Sequence, residues 1–166
     1  MEHHKLFDLR KPAVYVTAVN DDSFANLFLQ LTIEHKDSII RIIRGNKSKT
    51  IPDFFNEIAA ALQFPYYFGE NGAAFRDCIT DLDWTEGDAY LLMFSHADSF
   101  LCDSSDEAFY SIMEIFSDAN TEWLTPNQYI PRNRQPTPFH LLFQCADFDS
   151  NFIQRLRNAK IDFESL

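Results

Sequence analysis

The sequence predicts an α/β protein: a small, mainly parallel β-sheet of three core strands, with a segment near the N-terminus as a candidate fourth, packed with helices. Three observations predict it. Short runs that are apolar at nearly every position recur along the chain, as strands covered on both faces require. Segments with apolar residues at i, i+3, i+4 and i+7 alternate with them, the period of a helix that buries one face. Parallel strands need long crossovers, and helices set between apolar strands supply them.

Residues 13–19 (Ala-Val-Tyr-Val-Thr-Ala-Val) are rich in β-branched side chains and read as the N-terminal strand. Asp21, Asp22 and Ser23 offer N-caps for a helix whose apolar positions are Phe24, Leu27, Phe28 and Leu31. Residues 38–43 form the first core strand, ended by Gly45-Asn46. Thr50, followed by Pro52 and Asp53, marks a helix start; Phe54, Phe55, Ile58 and Leu62 form its buried face, and it stops before Pro65. A loop over residues 66–70 leads to a short helix from Asn71 to Leu82. A second core strand follows at 89–94, then a helix from about Ser105 to Ala119 carrying Phe109, Ile112, Met113 and Phe116. Residues 122–138 hold four of the seven prolines and no period, so they read as an inserted surface loop. Phe139 to Phe143 make the third core strand, and Phe148, Phe152, Ile153 and Leu156 suggest a helix over the C-terminal residues 147–166. At 166 residues, with 46% apolar side chains, the chain is expected to form one domain with a proper core.

The net charge of −11 is unevenly placed. Residues 66–122 carry thirteen acidic side chains and a single basic one, Arg76, which accounts for the whole excess. A field of that sign repels nucleic acid and steers a cationic partner, unless it serves only to keep the surface soluble. No apolar run is long enough to span a bilayer and no secretory leader is visible, so the protein is expected to work in the cytoplasm, with no membrane partner.

Candidate chemistry is sparse. Cys78, Cys102 and Cys145 are odd in number and fit neither a disulfide framework nor a CxxC site; Cys78 and Cys145 lie in apolar surroundings and read as buried thiols. The histidines show no metal spacing apart from the His3-His4 doublet, and His140, in an apolar strand, reads as a core residue. Asp81 and Asp83 invite a general acid–base reading, but no nucleophile, cleft signature or Gly-rich phosphate loop accompanies them. The expectation is therefore a protein with no catalytic residues, no metal and no cofactor.

The helix from Asn71 to Leu82 carries the functional argument. Phe75, Cys78, Ile79 and Leu82 make one apolar face, which places Asp77 and, one turn on, Asp81 on the outer face. Carboxylates four apart destabilise a helix by about 0.2–0.5 kcal/mol, so this surface is either unselected or reserved for a cationic partner. Glu114 and Asp118 repeat the outward spacing on the later helix.

Over Phe54–Trp84, and most closely in Phe64-Pro65-Tyr66-Tyr67-Phe68-Gly69-Glu70-Asn71 and Asp77-Cys78-Ile79-Thr80-Asp81, the sequence resembles the barstar family of ribonuclease inhibitors and immunity proteins. The resemblance extends over residues 38–144, with the strand-helix segment 1–37 and the helix after 147 as additions. It implies a three-stranded parallel sheet and a function: binding a basic ribonuclease and occluding its active site. It implies that Asp77 takes the place of a substrate phosphate, that Tyr67, Gly69 and Asn71 belong to the contacting segment, and that Asp118 supplies an acid from the later helix. Asp81 joins this surface as a charge that steers the partner. The chain departs from the family at Gly72 and Ala73, where relatives usually carry Trp or Leu and then Asp, and at Arg76, which either pairs with Asp77 or repels a basic partner. These departures leave a second expectation open, a barstar-type immunity or adaptor module that binds a protein other than a ribonuclease.

Overall fold

The computed structural model describes residues 3–125 and 134–166. Five parallel strands form one sheet: β1 (Val14–Thr17), β2 (Ile39–Arg44), β3 (Tyr90–Ser95), β4 (Phe139–Gln144) and β5 (Phe163–Ser165), in the order β2-β3-β4-β1-β5. The helices are α1 (Asp21–Glu34), α2 (Ile51–Leu62), α3 (Gly72–Asp81), α4 (Asp106–Leu124) and α5 (Asn151–Asn158). The N-terminal strand joins the sheet between β4 and a fifth strand that periodicity does not reveal.

The apolar runs are explained by burial on both faces. On one face Val14, Val16, Ile43, Tyr90, Leu92, Phe94, Phe139, Leu141 and Phe143 meet α2, α3, α4 and α5. On the other, Tyr15, Ile40, Leu91, Met93 and Leu142 meet Phe24 and Leu31 of α1 and Leu6 of a short N-terminal 3-10 turn. Gly45 follows β2 where the backbone passes the end of β3, and a Cβ there would run into the carbonyl oxygens of Ser95 and His96.

Four boundaries differ from the expectation, each through contacts distant in sequence or a cap one residue away. The cap of α1 is Asn20, whose side chain accepts from the Ser23 amide at 2.9 Å. Helix α4 runs five residues past Ala119, because Asn120 donates to the Phe139 carbonyl at 2.7 Å and Trp123 stacks on Phe139. Within the expected loop at 122–138, residues 122–124 are therefore helical, and 126–133 lie outside the described residues. The C-terminal helix is only Asn151–Asn158, with Phe148 exposed ahead of it, because the last residues pair with β1 as β5.

His140 is buried on β4 and ties the N-terminal segment to the sheet: its ring nitrogens lie 3.0 Å from the carbonyl oxygens of Leu6 and Arg10. Burial pushes the imidazole below its ordinary pKa, outweighing the two carbonyls, which favour the protonated ring. A ring harder to protonate when folded stabilises fully above the unfolded value of about 6.5 and loses that contribution as pH falls through the folded value. The wild type is expected to lose thermal stability between pH 7 and 5 more steeply than His140→Gln. Parallel slopes in a melting series would remove His140 from the acid response.

Candidate protein-binding surface

The surface is built outward from the end of α2. Thr50 caps that helix by accepting from the Asp53 amide, and Gln63 closes it in the left-handed region (φ 52°). Trp84 donates its indole N–H to the Leu62 carbonyl at 2.8 Å. The chain then turns over Pro65–Phe68, closed by the Phe68 amide on the Pro65 carbonyl at 2.9 Å. Phe64 and Phe68 point inward: their rings meet at 5.1 Å, and Phe68 packs edge-on to Phe55 of α2. Tyr66 and Tyr67 at the tip of the turn point outward, 100% and 71% exposed, with their rings edge to face at 5.5 Å. Aromatic area of this kind on a turn anchored by its neighbours is the composition that protein interfaces favour.

Asn71 fixes how the turn enters α3. Its side-chain oxygen accepts from the Ala74 amide at 2.9 Å, and its amide group donates back to the Gly69 carbonyl at 3.1 Å. Between them Glu70 adopts φ 51°, a conformation side chains seldom take. A Cβ on Gly69 would come within 3.0 Å of the Asn71 amide nitrogen. Asn71→Ala is expected to cost about 1 kcal/mol through the lost cap and to free the 66–70 turn as well. Urea titration measures the first; faster hydrogen exchange confined to the turn reports the second.

Helix α3 seats Phe75 and Ile79 in the core against α4. Its last carbonyls are satisfied from outside: Trp123 donates to Ile79 at 3.0 Å, and Arg134 donates to Thr80 and Asp81 at 2.6 and 2.8 Å. Burial and the neighbouring Asp77 and Asp81 push the Cys78 thiol up, which keeps it a protonated core group. Asp77 is exposed on α3 and makes no ion pair among the described residues.

Arg76 turns away from Asp77 and crosses to α4. It donates to Asp118 at 2.5 Å and to Glu122 at 2.8 Å, all three side chains remaining roughly half exposed. The sole cation of residues 66–122 is thus engaged on two of its acids.

Of the residues expected to contact a partner, the structure places Tyr67, Gly69, Asn71 and Asp77 on one continuous turn-and-helix segment. Gly69 and Asn71 hold the backbone, while Tyr67 and Asp77 present exposed side chains. Arg76 and Asp118 form an internal pair. Asp81 is half-buried at the end of α3 and already interacts within the chain. The sequence reading places Tyr67 but not Tyr66 in the contacting segment and Glu122 in a loop; the four-residue spacing of Glu114, Asp118 and Glu122 is the signal that α4 continues.

A second concavity lies at the C-terminal ends of β1, β3 and β4, where α1 and α5 leave neighbouring strands on opposite faces. Such a switch point is the usual ligand crevice of open parallel sheets. Here a space of about 840 Å³ is lined by Asn20, Asp21, Asp22, His96, Asp98 and Gln144. Asp21 lies 3.3 Å from His96 and accepts from Gln144 at 2.8 Å, while Asp98 accepts from the Ala146 and Phe152 amides. The turn after β1, Ala18-Val19-Asn20-Asp21-Asp22-Ser23, has neither the glycines nor the lysine that cradle a phosphate, and its carboxylates repel one.

A family model described as Barstar (barnase inhibitor) matches residues 39–144, well over half of the chain. A search of curated proteins found no match. Among solved structures, the chain is similar to the Aeropyrum pernix ORC2 protein, a structure of ADPNP-ADP complexes, with a TM-score of 0.56 and 11% identity, covering 92% of this chain and 41% of that one. It is also similar to Drosophila ORC bound to AT-rich DNA and Cdc6, with a TM-score of 0.52 and 13% identity, covering 91% and 47%. At these identities the likeness is one of fold, and the chain spans less than half the length of either structure.

Proposed function

The chain belongs to the barstar family, and we propose that it is an inhibitor or immunity protein that binds a basic ribonuclease and occludes its active site with the 66–70 turn and α3. One observation carries this reading: an anchored turn presents two exposed tyrosines, and the helix it leads into carries an exposed carboxylate, Asp77, with no cation paired to it among the described residues. A charge left unpaired on an acidic face gains most from a cation brought by a partner, and the surrounding field speeds that encounter. In this reading the chain acts in the bacterial cytoplasm, without catalysis of its own, as an antitoxin toward its nuclease.

A second reading is favoured by one feature. Asp118, an acid that the family resemblance assigns to the interface, is occupied by Arg76. Together with Gly72 and Ala73, this suits a barstar-fold module directed at a protein other than a ribonuclease.

Calorimetric titration against barnase, paired with a ribonuclease inhibition assay at low and physiological salt, tests the first reading. Saturable, salt-weakened binding with loss of ribonuclease activity supports it. Absence of binding to barnase and to any toxin encoded beside the protein would end the inhibitor assignment and leave the second reading.

A further inference from the structure

The acidic face contains its own competitor. Arg76 extends from α3 to α4 and engages two carboxylates one helical turn apart, Asp118 and Glu122, at 2.5 and 2.8 Å. Half-exposed pairs of this kind contribute little to folding. Their consequence is for recognition: Arg76 offsets one of the two negative charges on this part of α4, while Asp77, the next residue along α3, makes no ion pair among the described residues.

We propose that Arg76 is the specificity-determining residue of this surface, restricting it to protein partners that bring a cation to Asp77 and none to the Asp118–Glu122 pair. The proposal rests on the reading of this face as a protein-binding surface. A partner guanidinium or ammonium arriving at α4 must displace Arg76 and then lie beside it, and juxtaposed like charges are strongly disfavoured at interfaces. A partner that meets α4 with neutral polar groups leaves the ion pairs intact and incurs no such repulsion. The surface thereby disfavours partners that place a cation against α4, including ones that its net charge alone would attract.

The test compares wild type, Arg76→Gln, the triple variant Arg76→Gln/Asp118→Asn/Glu122→Gln, and the charge control Arg157→Gln, an exposed cation on α5. The probes are a deca-arginine peptide and barnase, each titrated at two salt concentrations, with melting curves confirming that every variant is folded. Arg76→Gln is expected to bind deca-arginine about tenfold more tightly than wild type, with a steeper salt dependence. The triple variant is expected to lose that gain, and Arg157→Gln to change affinity less than about twofold. An Arg76→Gln affinity no higher than that of wild type, or a gain matched by Arg157→Gln, overturns the proposal. If Arg76→Gln gains on deca-arginine while neither it nor the wild type binds barnase, a barnase-type target is ruled out and the specificity role of Arg76 stands.

Discussion

Asp77→Ala is expected to weaken binding to a barnase-type ribonuclease by about 2–5 kcal/mol while leaving the fold intact. That range is the general cost of truncating one partner of a buried, hydrogen-bonded charge pair, and it is carried over to this chain with the family's mode of binding. The side chain is exposed and makes no ion pair among the described residues, so its removal costs the free protein little. Relief of its i,i+4 repulsion with Asp81 stabilises α3 by about 0.2–0.5 kcal/mol. The loss appears only in the complex, where the cations that faced Asp77 stay desolvated and unpaired. Asp77→Asn keeps the shape and removes the charge, and is expected to fall close to Asp77→Ala. Calorimetry of both variants at two salt concentrations checks this. Unchanged affinity in Asp77→Ala would place the interface off α3.

Phe54→Ala acts on the frame that holds that surface, with an expected loss of about 3–5 kcal/mol of stability. Phe54 is fully buried on α2, and its ring meets Phe75 of α3 at 5.4 Å, Phe100 after β3 at 5.2 Å and Phe116 of α4 at 6.1 Å. Three separate elements therefore converge on one side chain. The cavity would loosen the seating of α3 on α4, so binding should weaken along with folding, unlike Asp77→Ala, where only binding responds. Phe54→Leu retains much of the volume and is expected to lose less. Urea unfolding with an unchanged slope and a lowered midpoint is the anticipated signature; a loss below about 1 kcal/mol would mean that the ring cluster is not the centre of this core.

The α/β class, the three core strands and the main helices were legible because burial on both faces of a strand and one face of a helix leaves a period in the residues themselves. The family was legible as a resemblance, carried by the short run from Phe64 to Asp81. The inward turn of Phe64 and Phe68 against the outward turn of Tyr66 and Tyr67 was not, since four aromatics in five positions have no period to sort them. Nor was β5, whose three residues are half-buried or exposed and owe their extended form to pairing with Val14–Val16 across the whole length of the chain.

By itself, then, the sequence determined the kinds of element, the acidic middle segment and the outward position of Asp77 on its helix. The tertiary structure alone decided that β1 lies between β4 and β5, and that Arg76 serves Asp118 and Glu122 rather than Asp77. The physical reason is range: helical and strand periods are set by neighbours a few residues away. Strand order and the choice of ion-pair partner depend on groups that folding brings together from 42 or more residues apart.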